Sequence, residues 1–256
     1  LTFAKLGKPN GQRIVIYGPG GIGKTSLACH APGPVVFIDL DESLGVLRQQ
    51  LPEPVQQSIN QLDRKMSCEW MAIRSALNMP GWDEIKTIVI DSATRAEELA
   101  VAWTLANVPN DKKEKVSRVE DYGYGKGYQH VYETFIALLH DLDEHARAGR
   151  NVILICHDCT STVPNPTGDD WIRYEPRLQT TSSGKASIRL RTKEWADHMF
   201  FIGYDVAVKD GKGTGKGSRT IYPVEQPHCM AKSRTLADAV VYERDSSELW
   251  QQLFAS

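Results

Sequence analysis

The run Arg13-Ile14-Val15-Ile16-Tyr17-Gly18-Pro19-Gly20-Gly21-Ile22-Gly23-Lys24-Thr25-Ser26-Leu27-Ala28-Cys29-His30 decides the reading of this chain. Its centre, Gly18 to Thr25, fits G-x-x-x-x-G-K-[ST]. Residues 13–17 before it are a short apolar β-branched strand, and residues 24–30 after it open a helix. Strand, glycine loop and helix together are the context in which this pattern holds phosphate. Glycines let successive backbone N–H groups turn inward on phosphate oxygens, and the helix N-terminus adds its positive dipole end. Lys24 then reaches the β- and γ-phosphates, and the Thr25 hydroxyl helps hold Mg²⁺. The expected ligand is a nucleoside triphosphate with Mg²⁺, contacted by Gly18, Pro19, Gly20, Gly21, Ile22, Gly23, Lys24, Thr25 and Ser26.

Outward from that loop, short Val/Ile-rich runs alternate with helical stretches, the pattern of a parallel sheet wrapped by helices. Strands are expected at 13–17, 35–39, 86–91 and 151–156. Helices are expected at 24–30, near 55–78, at 93–107 and at 127–147. In the last, Val131, Phe135, Leu138, Leu139, Leu142 and Ala146 recur at helical spacing and Gly149 stops the run. Residues 158–187 are rich in Thr, Ser, Pro, Gly and charge without periodicity, and read as a long loop of the kind that is either functional or disordered. Beyond them 198–208 and 219–232 read as antiparallel strands joined by a mobile glycine- and lysine-rich tip, 209–217. A short helix at 246–254 closes the chain, with Asp245 and Glu248 at capping-box spacing. The whole reads as one α/β domain with mobile loops near 109–127, 158–187 and 209–218.

With 256 residues, 41% of them hydrophobic, the chain can bury a full α/β core. A formal charge of −2 gives no global attraction for a polyanion, so any nucleic-acid contact must come from local basic patches. No apolar run is long enough to span a bilayer and no signal-peptide pattern opens the sequence, so a cytoplasmic protein without membrane contact is expected. Five cysteines fit a reducing compartment. Cys156 and Cys159 form a C-x-x-C without a second ligand pair, so a zinc site is not expected.

Two further segments complete a nucleotide site. The strand Lys86-Thr87-Ile88-Val89-Ile90 ends in Asp91, a carboxylate that can support Mg²⁺ provided its strand lies beside the glycine-loop strand. Hydrolysis also needs a group to orient water. Ser92, not an acid, follows Asp91, so the candidates are Asp41 or Glu42, just past Val35-Val36-Phe37-Ile38-Asp39-Leu40. His157, at the end of strand 151–156, stands where a polar side chain can sense the γ-phosphate.

These motifs resemble the RecA-like recombinase core. Phe37-Ile38-Asp39-Leu40-Asp41 places Asp41 where that family carries a catalytic glutamate, with Glu42 adjacent, and Ile88-Val89-Ile90-Asp91-Ser92 matches its hydrophobic Asp-Ser element. More closely, the chain looks like phage-encoded ATP-binding proteins of the Sak-type single-strand annealing group, a shortened RecA-like branch. Gly123-Tyr124-Gly125-Lys126-Gly127-Tyr128, Val152-Ile153-Leu154-Ile155-Cys156-His157 and Glu194-Trp195-Ala196-Asp197 carry that likeness together with the glycine loop, over most of residues 11–235. The resemblance implies a P-loop NTPase fold with a RecA-like core and a mainly parallel sheet. It implies two DNA-binding loops, one near 109–127 with Lys126 and one at 158–187 with Trp171, Arg173, Tyr174, Arg177 and Lys185. Aromatic faces interleaved with cations suit single-stranded DNA. It also implies that Lys232 and Arg234, one residue apart, reach a neighbour's ATP in a homo-oligomer. A single-strand-binding protein is a further implied partner. The resulting expectation is an ATP-dependent single-stranded-DNA-binding recombinase or annealing protein. The alternatives are a small-molecule kinase and a nucleotide-controlled adaptor with weak turnover.

Overall fold

The computed structural model describes residues 11–181, 184–209, 212–243 and 248–254. Asp210 and Gly211 in the expected hairpin tip, and the expected cap Asp245, lie outside the described residues. The strands are β1 (Arg13–Tyr17), β2 (Val35–Asp39), β3 (Ile59–Gln61), β4 (Thr87–Asp91), β5 (Asn151–Cys156), β6 (Asp158–Val163), β7 (Trp171–Pro176), β8 (His198–Lys209), β9 (Lys212–Tyr222) and β10 (Val240–Val241). The helices are α1 (Lys24–Cys29), α2 (Leu44–Arg48), α3 (Glu53–Ser58), α4 (Trp70–Leu77), α5 (Ala93–Asn107), α6 (Lys126–Arg147), α7 (Ile188–Trp195) and α8 (Glu248–Phe254).

Among the described residues, eight strands form one sheet in the order β10-β9-β8-β1-β5-β4-β2-β3. Pairings from β8 through β3 are parallel, and β8-β9-β10 continue antiparallel. Parallel strands covered on both faces are apolar throughout, and β2 and β4 are buried at every position. Because successive side chains alternate, each strand feeds two cores. Val15, Tyr17, Ile38, Ile88, Ile90, Val152 and Leu154 face α4, α5, α6 and α7. Ile14, Ile16, Val35, Phe37, Val89, Ile153 and Ile155 face α1, α2 and α8. The expected stripe of α6 is buried from Val131 to Ala146, as its spacing requires.

Three expectations need correction. The region near 55–78 is not continuous helix: β3 interrupts it and pairs parallel with β2 from Val35 to Phe37. Residues 158–187 are not a structureless loop. Asp158–Val163 and Trp171–Pro176 pair as an antiparallel ribbon, β6-β7. Residues 223–232 do not continue β9, and make only isolated bridges such as Met199 with Lys232. Tertiary pairing decides each case, since none of these segments carries a strong apolar period of its own.

Candidate functional site

The glycine loop follows β1 at the C-terminal edge of the sheet and runs into α1. Gly18 lies against β8: a Cβ there would come within 2.3 Å of the Ile202 carbonyl oxygen. Ile22 is fully buried and anchors the loop to the core. Lys24 curls back over the loop, its Nζ donating to the carbonyl oxygens of Gly18 (2.7 Å) and Pro19 (2.9 Å). Burial pushes the Lys24 ammonium below the usual lysine range, against the pull of Asp158, Asp91 and Asp41. Ser26 lies in the first turn of α1, where its carbonyl oxygen accepts from His30 Nδ1 at 2.8 Å.

Asp91 ends β4, and β5 separates that strand from β1. The condition set on Asp91, that its strand lie directly beside the glycine-loop strand, is not met, yet the residues still meet. Thr25 Oγ1 donates to Asp91 Oδ2 at 2.7 Å across the strand ends. Burial raises the Asp91 carboxyl from 3.8 to about 6, helped by the Asp39 and Asp41 carboxylates and opposed by the Thr25 hydrogen bond and Lys24.

Of the two acids past β2, only Asp41 faces this edge. Its Oδ2 lies 3.3 Å from His157 Nε2, which brings together two residues 116 apart in sequence. The Asp41 N–H donates to the Asp91 carbonyl oxygen at 3.2 Å, fixing one acid relative to the other. Glu42 adopts a left-handed backbone at φ 56. Its carboxylate is exposed and pairs with the exposed guanidinium of Arg64 at 2.6 Å. Asp39 is occupied as a cap, accepting from the N–H groups of Ser43 (3.1 Å) and Leu44 (3.0 Å) at the start of α2.

The main chain of His157 is tied to the root of the β6-β7 ribbon. The His157 N–H donates to Thr94 Oγ1 (3.1 Å), and that hydroxyl donates to the Arg177 carbonyl oxygen (3.3 Å). The Arg177 N–H in turn donates to the His157 carbonyl oxygen at 2.9 Å. Asp158, the next residue, exerts the largest carboxylate pull on Lys24. Sequence reasoning missed it, although its place directly after the histidine that follows β5 was a usable signal.

The residues expected at DNA are dispersed. On β7 the two-residue period puts Trp171 and Arg173 on one face and Tyr174 on the other, so they form no continuous stacking surface. Arg173 is held by Glu175 (2.8 Å) and Glu225 (2.5 Å). Trp171 Nε1 donates to the Pro227 carbonyl oxygen at 2.7 Å, and Tyr174 stacks on Phe201. Arg177 is exposed beyond the strand. Lys126 pairs with Asp111. Segments 109–127 and 158–187 do meet, at a cleft of about 540 Å³ lined by Tyr124, Tyr128, Gln129, Thr180, Thr181 and Lys185. Tyr124 in that cleft is fully exposed.

Lys232 and Arg234, which the resemblance implied would reach a neighbour's ATP, both make contacts within this chain. Lys232 Nζ donates to the carbonyl oxygens of Lys193 (3.0 Å), Glu194 (3.2 Å) and Ala196 (2.5 Å). It thereby satisfies the C-terminal carbonyls of α7, where a cation is favoured. Arg234 pairs with Asp197 at 2.8 Å.

Among known proteins, the family model described as AAA domain matches residues 10–235. The chain is similar in structure to the RadB recombinase, with 14% identity over 83% of this chain and 80% of that one, at a TM-score of 0.46. It is also similar to a KaiC-like protein from the hyperthermophilic archaeon Pyrococcus horikoshii, with 16% identity over 93% of this chain and 88% of that one, at a TM-score of 0.47. No curated protein matches the sequence. Among the described residues no helix is long and apolar enough to cross a membrane.

Proposed function

The chain belongs to the AAA domain family of P-loop NTPases, and from that premise we propose that it is a Mg²⁺-dependent ATPase whose turnover is coupled to single-stranded DNA, in the manner of a recombinase or annealing protein. The observation that carries the reading is the 2.7 Å hydrogen bond from Thr25 to Asp91, with buried Lys24 beside it. A metal-supporting hydroxyl from the first turn of α1 and a carboxylate from the end of β4 converge there, at the mouth of the glycine loop. Backbone amides of the loop and Lys24 bind the triphosphate, while Thr25 and Asp91 are the groups to hold Mg²⁺. The metal supplies charge neutralisation at the phosphate oxygens.

Asp41 is the group we assign to orient the attacking water, because it shares the sheet edge with Asp91 and touches His157. Glu42 is set aside by its outward pairing with Arg64. His157 conveys the state of the site to the β6-β7 ribbon, since its N–H and carbonyl oxygen both bond to the ribbon's root. DNA binding is supported by the cleft in which segments 109–127 and 158–187 meet, where the exposed Tyr124 ring offers a face for a base.

The test is the rate of phosphate release with and without single-stranded DNA, at two salt concentrations. Stimulation that fades as salt rises supports the coupling. An unchanged rate with no DNA bound overturns the DNA half while leaving the ATPase. A cleft of about 310 Å³ past β2, lined by Asp39, Gln61, Arg64, Ser67 and Arg95, favours a second reading as a small-molecule kinase. Transfer of the phosphoryl group to an added acceptor, rather than release to water, would select it.

A further inference from the structure

Two side chains from the C-terminal part of the chain grip the glycine loop from behind. Arg219 Nη1, on β9, donates to the Ile22 carbonyl oxygen at 2.6 Å. The hydroxyl of Tyr242, just past β10, donates to the Gly23 carbonyl oxygen at 2.7 Å. The two grips are coupled, because the Arg219 guanidinium lies over the Tyr242 ring at 4.2 Å from its centroid. Tyr242 is buried at 3% exposure, so its hydroxyl reaches the loop from inside the fold.

In a trans peptide unit the C=O and the following N–H point in opposite directions. Holding the Ile22 carbonyl therefore aims the Gly23 N–H away from Arg219. Holding the Gly23 carbonyl aims the Lys24 N–H away from Tyr242. Neither N–H has an acceptor among the described residues. Both belong to the N-terminus of α1, the end of the helix at which a glycine loop of this pattern takes phosphate. Gly23 has φ 103 and serves as the N-cap, and a Cβ there would come within 2.7 Å of Arg219 Nη1 and 2.8 Å of the Tyr242 hydroxyl. Glycine at this position thus answers the clamp as well as the turn.

We propose that Arg219 and Tyr242 are positioning residues that preset two phosphate-binding amides of the loop, making nucleotide affinity depend on the docking of β9 and β10. The inference rests on the nucleotide-binding reading above. Amides that contact phosphate in both ground and transition states contribute uniform binding, so losing their orientation raises KM and spares kcat.

The experiment compares wild type with Tyr242→Phe and Arg219→Lys in the full chain, using a fluorescent ADP analogue for Kd and phosphate release for kcat and KM. Tyr242→Phe removes one hydrogen bond and should weaken the analogue about five-fold. Arg219→Lys keeps the charge but shortens the reach and loses the planar stack, and should weaken it about ten-fold. Both should raise KM by similar factors with kcat within about two-fold of wild type. A purely structural role would instead lower thermal stability and active fraction while leaving KM alone, and that pattern overturns the clamp. Equal Kd in all three proteins overturns it as well. If wild type itself fails to bind the analogue, the nucleotide reading falls and the clamp falls with it.

Discussion

Asp91→Asn should make the metal-free protein more stable while ending its catalysis. The carboxyl of Asp91 is raised from 3.8 to about 6, with burial as the leading cause. A carboxyl that holds its proton more tightly in the fold than in the unfolded chain favours the fold while protonated. That advantage is lost as pH rises from 3.8 through about 6, and above this window the full cost of burying the charge remains. At 1.36 kcal/mol per pH unit the cost is about 3 kcal/mol at pH 8 and roughly half that at pH 5. Asparagine keeps an acceptor for the Thr25 hydroxyl and carries no charge at either pH. Urea unfolding followed by tryptophan fluorescence, without divalent metal, should show Asp91→Asn more stable than wild type by about 3 kcal/mol at pH 8, with the gap narrowing toward pH 5. Adding Mg²⁺ should recover stability in wild type only, because the variant lacks the carboxylate that offsets the ion. A variant that is equally or less stable at pH 8 would refute the reasoning, since the carboxylate would then be well compensated without a metal.

Asp41→Asn should lower kcat for ATP by about 10²-fold or more, with Kd for the nucleotide little changed. Glu42→Gln should stay near wild type, because its exposed pair with Arg64 contributes little. Steady-state kinetics on the two variants decides between the acids. Tyr124→Ala should weaken a short single-stranded oligonucleotide by about 1–3 kcal/mol in fluorescence anisotropy, without altering the DNA-independent ATPase rate. Phe135→Ala empties a fully buried site in the core shared by α6 and the sheet, and should cost about 3–5 kcal/mol in urea unfolding.

The glycine loop, β1, β2, β4, β5 and the long α6 were legible because each carries its own signal: a phosphate-binding pattern, an unbroken apolar run, or a stripe at helical spacing. Asp41 with His157, and Thr25 with Asp91, were legible as candidates from their places at strand ends, although only the fold brings each pair together. The β6-β7 ribbon was not. Its first strand is polar and rich in Thr and Ser, its second carries no clean apolar alternation, and it is fastened by contacts more distant in sequence: Glu175 with Arg189, and Glu225 with Arg173 and Lys193. The in-chain contacts of Lys232 were not legible either. The resemblance implied a reach toward a neighbour's ATP, and no local pattern marks the carbonyl end of α7 that its Nζ meets. The Arg219–Tyr242 grip was invisible for the same reason, since no local pattern ties residues 219 and 242 to a loop near position 22.

The most direct test is a calorimetric titration of ATP with Mg²⁺ into wild type and Lys24→Ala. Wild type should bind one nucleotide per chain in a saturable isotherm, and the variant should lose most of that affinity, because the ammonium held over Gly18 and Pro19 is the chain's own cation at the phosphate end. No binding to wild type, or an isotherm the same in both proteins, would contradict the account.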